Sequence, residues 1–216
     1  MIVLCGGTKG GVGKTTLATN LAAMRRHDAD VLLLDADKQG TASLWATIRD
    51  DAGVNPRVPC VQKQGAKLHL EVKALAEKFQ DVVIDAGGRD NVELRAAMIV
   101  ADIFVTPVLP SSYDFWSLTD VNRLVADARI INPDLRVIVV VNRGSTNPSV
   151  SEVDEVRQLV SEFEGMTLAE TVLRDRIAYR KAASEGLGVE EMTKADAKAV
   201  AEVKGLFKEV FGHGHQ

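Results

Sequence analysis

Near its amino terminus the chain carries a glycine-rich segment that contains lysine and threonine, residue types suited to holding phosphate groups. The segment follows an apolar run, Ile2–Cys5, and opens a helical pattern. In such a turn several backbone N–H groups converge on phosphate oxygens, and the positive end of the next helix adds to the attraction. Lys14 would supply a mobile charge for the β- and γ-phosphates, and the Thr15 hydroxyl would ligate Mg²⁺. The pattern predicts that a nucleoside triphosphate binds to Gly10, Gly11, Val12, Gly13, Lys14 and Thr15.

Three aspartates follow two other apolar runs. The run Val31–Leu34 continues into Asp35 and Asp37, and the run Val82–Ile84 continues into Asp85. A carboxylate at the end of a buried strand is costly unless a cation or hydrogen bonds satisfy it, and a magnesium nucleotide beside the glycine-rich segment would do so. Asp85 can hold Mg²⁺ directly or through water. The glycines that follow it can move with the γ-phosphate, as in segments that order in only one nucleotide state.

The glycine-rich segment departs from the general P-loop pattern G-x-x-x-x-G-K-[ST]. Thr8 stands where the first glycine would fall, and a second lysine, Lys9, precedes the two following glycines. This variant, K-G-G-x-G-K-T-T, resembles the deviant P-loop of the ParA/MinD family of ATPases. The resemblance implies an ATP-bound dimer in which Lys9 reaches the partner's phosphates and completes the catalytic site, so that hydrolysis depends on dimerisation. The alternative is that Lys9 is an ordinary solvated loop lysine.

The segment 35–40 resembles the D-x-D-P-Q switch of ParA-type proteins. By that resemblance, Asp37 orients the attacking water and Asp35 lies in the outer shell of the magnesium. Lys38 replaces the usual proline, which could loosen the turn or add a positive contact.

Two further positions acquire nucleotide-binding roles from the same resemblance. Thr16 would contact the α-phosphate. Asn142 ends the apolar run Val137–Val141 and is similar to the strand-end asparagine that recognises adenine in related ATPases. A structural cap at the strand end is the alternative for Asn142.

Short apolar runs alternate with helical patterns along the whole chain, which places these residues in a common architecture. The runs lack polar alternation, as expected for strands covered on both faces. The rhythm predicts an α/β fold, a doubly wound and mainly parallel sheet flanked by helices, in which ligands bind at the carboxyl ends of the strands. We expect strands at Ile2–Cys5, Val31–Leu34, Val82–Ile84, Ile103–Val105 and Val137–Val141, and helices at Thr15–Arg26, Lys67–Phe79, Asn91–Val100, Phe115–Ile130 and Val150–Phe163.

Bulk composition indicates an ordinary globular protein. The 216 residues are 46% hydrophobic and 26% charged, with a net charge of −4. We expect residues 1–216 to form a single P-loop ATPase domain without an amino-terminal helix-turn-helix domain. No apolar run approaches the roughly 18 residues that span a bilayer, and we expect no secretory leader before the first strand. Cys5 and Cys60 are too few for a disulfide framework and indicate a cytoplasmic protein with reduced thiols.

A basic segment, 173–181, resembles the one that follows the late strands of small ParA proteins. Arginine and lysine contacts to phosphates would give salt-sensitive DNA binding without sequence preference. The alternative is a solvated surface whose charges pair with nearby glutamates, and Arg174 and Asp175 could instead face the nucleotide or the dimer interface. The candidate DNA contacts are Arg174, Arg176, Arg180 and Lys181, with Lys194, Lys198, Lys204 and Lys208 as further candidates.

The last helical pattern, about Lys194–Phe211, helps to distinguish an ATPase that binds a membrane from one that binds DNA. A membrane-targeting helix would be basic with a broad apolar face. Here Glu202 and Glu209 dilute the lysines, so we expect the helix to pack against the domain and no stable membrane association.

Together these features predict a small ParA-type partition ATPase that uses ATP and Mg²⁺. The resemblance implies an ATP-bound homodimer that binds non-specific DNA and associates with the nucleoid. It also implies a centromere-binding, ParB-like partner that stimulates hydrolysis, as in plasmid or chromosome partition. The alternatives are a MinD-like membrane-associated ATPase, a positioning ATPase for another cargo and a metabolic P-loop kinase, because fold and motif do not separate them.

Overall fold

The computed structural model describes residues 1–110, 114–146 and 152–212. Within these residues strands and helices alternate along the chain. The strands are β1 Ile2–Cys5, β2 Val31–Asp35, β3 Cys60–Gln62, β4 Asp81–Asp85, β5 Ile103–Val108, β6 Arg136–Val141 and β7 Met166–Leu168. The helices are α1 Lys14–Arg25, α2 Thr41–Asp51, α3 Leu68–Ala76, α4 Val92–Met98, α5 Asp114–Arg129, α6 Glu152–Ser161, α7 Ile177–Ser184 and α8 Ala197–Phe211, with a 3₁₀ turn at Val189–Glu191.

The strands form one sheet in the order β3-β2-β4-β1-β5-β6-β7, and every described strand pair is parallel. The central strands β1, β2 and β4 are buried along their whole length. Their register places Asp85 beside Cys5 on one side and beside Asp35 on the other. The carboxyl ends of these three strands therefore bring the predicted magnesium carboxylates together.

Helices cover both faces of the sheet and create two apolar layers. One layer packs α3 to α6 against side chains such as Leu4, Leu34 and Ile84. The other packs α1, α2, α7 and α8 against the alternate side chains, such as Val3, Leu33 and Val83. Because both faces are apolar, the strands carry nearly continuous hydrophobic runs. The predicted doubly wound α/β fold is confirmed.

All five predicted strands are present, and each predicted helix coincides with one in the structure. The first two positions of the predicted Val150–Phe163 helix lie outside the described residues. Four elements were not predicted: the short outer strands β3 and β7, and the helices α2 and α7. Helix α2 begins directly after the segment interpreted as a switch, and α7 overlaps the second half of the basic segment, 173–181.

Candidate nucleotide site

The glycine-rich loop joins the end of β1 to the start of α1. Val12 is buried and anchors the loop in the core, while Lys14 and Thr15 occupy the first turn of the helix. Gly13 precedes the helix with a left-handed backbone, φ 101°. A side chain at Gly13 would also overlap the Asn142 amide. Glycine is therefore required at this position by both backbone conformation and space.

Lys14 is nearly buried and lies over the loop. Its Nζ donates to the carbonyl oxygen of Lys9 at 2.7 Å. Burial lowers the pKa of Lys14, and the nearby charges of Asp85 and Asp37 oppose that effect. A compact ammonium group in this position can donate to phosphate oxygens, as predicted from the motif.

Asp85 and Thr15 form a hydrogen-bonded pair at the start of α1. The Thr15 hydroxyl donates to Asp85 Oδ2 at 2.7 Å, whereas Asp85 Oδ1 is buried without a hydrogen-bond partner among the described residues. Burial, together with the charge of Asp35, raises the pKa of Asp85 to about 7. A buried carboxylate oxygen without a partner is unfavourable and requires an explanation.

A hard cation supplies that explanation, because the hydroxyl of Thr15 and the carboxylate of Asp85 are oxygen ligands that Mg²⁺ accepts. The described residues contain no group of three or more His, Cys, Asp or Glu side chains arranged to hold a metal. This sparse protein shell is typical of Mg²⁺ that is bound through one or two side chains together with phosphate and water. The residues present therefore fit a magnesium nucleotide.

Asp35 is fully buried and organises the start of the first switch segment. Its Oδ1 accepts the N–H of Asp37 at 3.1 Å, and its Oδ2 accepts the N–H of Ser43 at 2.8 Å. Both carboxylate oxygens therefore bind backbone at the entry to α2. The predicted outer-shell contact with magnesium stays a prediction, and the register beside Asp85 is compatible with it.

Asp37 is half-buried and closes a tight turn. Its Oδ1 accepts the N–H of Gln39 at 3.1 Å, and its carbonyl oxygen accepts the N–H of Gly40 at 3.1 Å. Lys38, in the proline position of the family pattern, is exposed within this hydrogen-bonded turn. A Cβ built on Gly87 would lie 3.4 Å from Asp37 Oδ1. The first switch segment, residues 35–40, therefore meets the segment that follows β4, residues 86–90, at this carboxylate, and we call residues 86–90 the second switch segment.

Lys14, Thr15 and Asp37 line one open cavity of about 710 Å³ at the carboxyl ends of the strands, and the buried Asp35 and Asp85 are not part of its lining. A groove of about 970 Å³ lies elsewhere, between α1, the 3₁₀ turn and α8. We place the nucleotide site in the smaller cavity because the glycine-rich loop and the switch aspartate converge there. Its lining consists of Gly10, Gly11, Gly13, Lys14, Thr15, Thr16, Asp37, Lys38, Gln39, Thr41, Gly87, Gly88, Arg89, Asp90, Asn91, Glu93 and Arg143.

Asn142 supports the glycine-rich loop from below. The side chain is buried, and its Nδ2 donates to the carbonyl oxygen of Val12 at 2.6 Å. In this geometry the amide is committed to the backbone of the glycine-rich loop. Recognition of adenine by Asn142 stays a prediction.

The roles inferred by resemblance for Lys9 and Thr16 also stay predictions. Thr16 lines the cavity, and its carbonyl oxygen accepts the amide of Asn20 at 2.8 Å within α1. Lys9 is half-buried, with its carbonyl oxygen held by Lys14. Sequence reasoning assigned no role to Arg89 or Arg143, although each follows a motif residue directly and both line the cavity.

The candidate DNA-binding residues differ in how far they are committed to contacts within the protein. Arg176 Nη2 lies 2.6 Å from Glu202 Oε1 in a pair that is mostly buried, and Arg174 Nη1 donates to the carbonyl oxygen of Ser145. By contrast, Arg180 and Lys181 are exposed, and within the described part of the chain the one ion pair of Arg180 is a long contact of 3.6 Å with Asp175. The geometry therefore favours Arg180 and Lys181 over Arg174 and Arg176 as DNA contacts. Lys194, Lys198, Lys204 and Lys208 are all exposed.

The carboxylates of α8 face the domain and hold the backbone that follows β7. Glu209 accepts the N–H groups of Glu170 and Thr171, each at 2.9 Å. Glu202 accepts the N–H of Arg174 at 3.1 Å. The apolar face of α8 lies in the core, so the expected packing of this helix against the domain is confirmed. Among the described residues no helix is both long enough and apolar enough to cross a membrane.

A family model described as the CobQ/CobB/MinD/ParA nucleotide-binding domain matches residues 3–189. The chain is 30% identical over 203 residues to the maintenance of carboxysome distribution protein A of Halothiobacillus neapolitanus, covering 94% of this chain and 92% of that protein. The corresponding protein of Gloeobacter kilaueensis is 33% identical over 204 residues, covering 90% of this chain and 89% of the relative.

A relative named for partition matches a shorter region. The chromosome-partitioning ATPase Soj of Thermus thermophilus is 29% identical over 158 residues, which is 60% of this chain and 64% of Soj. Among solved structures, an ATP complex of a McdA variant from Cyanothece superimposes with a TM-score of 0.78 at 17% identity, covering 100% of this chain and 98% of the other. That likeness shows a common fold.

Proposed function

Because this chain belongs to the CobQ/CobB/MinD/ParA nucleotide-binding domain family, we propose that it is a slow, Mg²⁺-dependent ATPase that acts as a dimerising switch. The observation that carries the proposal is the buried Oδ1 of Asp85, which lacks a hydrogen-bond partner among the described residues and lies beside the Thr15 hydroxyl at the foot of the glycine-rich loop. A bound Mg²⁺ would satisfy this oxygen, and Lys14 would contact the phosphates of the accompanying nucleotide.

Each residue then has a role that follows from its position. The N–H groups of residues 10–15 and the Lys14 ammonium bind the phosphates, and Thr15 and Asp85 hold the magnesium ion, which neutralises phosphate charge when bound. Asp37 orients the attacking water at the meeting point of the two switch segments. Phosphoryl transfer to water needs positioning and charge stabilisation more than covalent help, and this set of residues supplies both.

Dimerisation completes the site in this proposal. Lys9 of each subunit contacts the phosphates bound to the other subunit, so ATP holds the dimer and hydrolysis releases it. We expect Lys9→Ala to bind ATP but to lose both ATP-dependent dimerisation, measured by light scattering, and ATPase activity. We expect Asp37→Ala to dimerise with ATP and to hydrolyse it poorly. Full activity of Lys9→Ala as a monomer would refute the shared site.

The switch positions a cargo by binding DNA without sequence preference in its ATP-bound state, which makes it nucleoid-associated within the cytoplasm. The exposed Arg180 and Lys181 are the proposed phosphate contacts. For such contacts, the logarithm of the DNA-binding constant falls linearly with the logarithm of the salt concentration. The test measures binding to a random duplex with ATP, ADP or no nucleotide across a salt series.

A matched pair of variants localises the DNA contact. Arg180→Ala combined with Lys181→Ala should lower ATP-dependent DNA binding and flatten its salt dependence. Lys73→Ala combined with Lys78→Ala removes two exposed lysines, one in the last turn of α3 and one just after it, and should leave both the DNA affinity and its salt dependence unchanged. Equal effects of the two pairs would show that overall charge, and not the segment 173–181, controls binding.

Two cargoes are compatible with this switch. A plasmid or chromosome carried through a centromere-binding, ParB-like partner is the first, and the match to Soj supports it. A protein-based cargo is the second, and the two relatives named for carboxysome distribution favour it. Stimulation of the ATPase by a centromere-bound adaptor would identify the first cargo. Stimulation by an adaptor bound to a protein assembly, independent of any DNA site, would identify the second.

A further inference from the structure

The second switch segment lies directly on the glycine-rich loop. A Cβ atom built on Gly88 would lie 2.8 Å from Gly10 Cα, from the carbonyl oxygen of Lys9 and from Lys14 Nζ, so only glycine fits this contact. The next residue, Arg89, starts one Cα step, about 3.8 Å, further along and lines the same cavity. Its exposed side chain therefore originates beside the ammonium group that binds the terminal phosphates.

The charge of Arg89 is not neutralised by the adjacent carboxylate. Asp90 is held by Arg95 through two hydrogen bonds, Nε to Oδ1 at 2.7 Å and Nη2 to Oδ2 at 2.8 Å. Arg95 Nη1 also lies 3.1 Å from Asp127 on α5. Arg89 itself makes no hydrogen bond or ion pair with another described residue. The network around Arg95 fixes the segment to α4 and α5 and leaves the guanidinium of Arg89 available to the cavity.

We propose that Arg89 is a further catalytic residue, which contacts the γ-phosphate of ATP bound to the glycine-rich loop of its own subunit. The proposal rests on the ATPase function proposed above and extends it. A guanidinium group presents parallel N–H donors that match two phosphate oxygens, and its charge persists at every physiological pH. Arg89 would therefore supply in the same chain the charge that other nucleotidases obtain from an arginine finger.

The step that Arg89 assists is hydrolysis of the γ-phosphoryl group. The water oxygen forms a bond to the γ-phosphorus, and the bond from that phosphorus to the β–γ bridging oxygen breaks, so ADP departs with the electron pair. One water proton stays on the new phosphate, and the other is released to solvent past Asp37. Negative charge on the γ-phosphoryl oxygens and the bridging oxygen is greatest in the transition state, where the guanidinium stabilises it most.

This placement predicts an effect limited to the terminal phosphate. ADP lacks the γ-phosphoryl group, so its affinity should not depend on Arg89. In Arg89→Ala we expect ADP to bind within twofold of the wild type, while a non-hydrolysable ATP analogue, AMPPNP, binds about tenfold more weakly and kcat falls about 100-fold, comparable with the loss of one transition-state donor elsewhere. Arg89→Lys should recover part of kcat because it keeps the charge and loses the paired donors.

The experiment compares these variants with Arg123→Ala. Arg123 is an exposed arginine on α5 whose contact with Asp120 is 3.5 Å long, so its loss controls for removing one positive charge. Calorimetry gives the affinities for ADP and AMPPNP with Mg²⁺, and steady-state kinetics give kcat and KM. Arg123→Ala should match the wild type in every value.

The outcomes separate this proposal from the one it rests on. An active wild type together with a fully active Arg89→Ala would overturn the role of Arg89 and leave the ATPase assignment intact. Equal weakening of ADP and AMPPNP would also overturn it, because the substitution would then act on the loop as a whole. A wild type that neither binds nor hydrolyses ATP would remove the ATPase assignment and the role of Arg89 together.

Discussion

Replacing Asn142 by alanine distinguishes support of the glycine-rich loop from recognition of the base. In the structure the Asn142 amide donates to the carbonyl oxygen of Val12 at 2.6 Å, in a buried position against Gly13. If this contact positions the loop, Asn142→Ala should weaken every ligand that binds through its phosphates. If the amide reads adenine, the substitution should weaken ATP alone.

The magnitude follows from the burial of the contact. Removing one partner of a buried hydrogen bond costs about 1–3 kcal/mol, and about 1.4 kcal/mol corresponds to a tenfold change in a dissociation constant. We therefore expect the dissociation constants of ATP, GTP and inorganic triphosphate, measured by calorimetry with Mg²⁺, to rise by a similar factor of about ten. The ratio of ATP to GTP affinity should stay at its wild-type value.

Asn132→Ala provides the matched control. Asn132 also donates its amide to backbone, to the carbonyl oxygens of Met98 and Ala101, at the opposite end of the sheet from the cavity. That substitution should lower the free energy of unfolding without changing nucleotide affinity. A loss confined to ATP in Asn142→Ala, with GTP and triphosphate unaffected, would refute loop support and establish base recognition.

Other substitutions test the remaining features. Burial raises the pKa of Asp85 to about 7, so in metal-free protein the unfolded state loses this proton first and stability falls as pH rises from about 4 to about 7. Asp85→Asn should abolish that part of the pH dependence of urea midpoints; an unchanged profile would contradict the raised pKa. Glu202→Ala, which leaves the mostly buried Arg176 without its carboxylate, should destabilise the fold by about 3 kcal/mol in urea titrations. Lys204→Ala, on the exposed side of the same helix, should cost less than about 1 kcal/mol, and equal losses would refute the assigned contact. Gly13→Ala, at φ 101°, should weaken ATP binding more than about tenfold in calorimetry, and wild-type affinity would contradict the steric argument.

The part of the fold that sequence reasoning predicts is the part whose pattern is local. The strands β1, β2 and β4 are buried on both faces, so their apolar runs are unambiguous. The outer strand β3 has three residues that are only partly buried, and no periodicity of that length can be recognised. The pattern of helix α2 is obscured because its inner face contains Arg49, a fully buried cation that pairs with Glu191 from a distant segment.

The candidate site divides in the same way. The glycine-rich loop and the strand-end aspartates can be recognised from the sequence, because each is a short motif of residues with a known role in phosphate or metal binding. The residues that contact these motifs cannot be recognised in the same way, because they come from distant positions in the sequence. The amide of Asn142 reaches a carbonyl 130 residues earlier, and Gly88 lies against Lys14 only after two strands have paired. Roles that depend on which side chains remain available, such as that of Arg89, require the folded arrangement.

The attachment of α8 also orders events during synthesis of the chain. One apolar layer of the sheet is completed by Ala199, Val203, Leu206 and Val210, side chains that the ribosome adds after every strand has been made. The backbone after β7 likewise depends on carboxylates of the same late helix. An unfinished chain therefore presents an uncovered apolar face, and such faces are prone to aggregation. The nascent protein cannot close this layer until residues 197–211 have emerged.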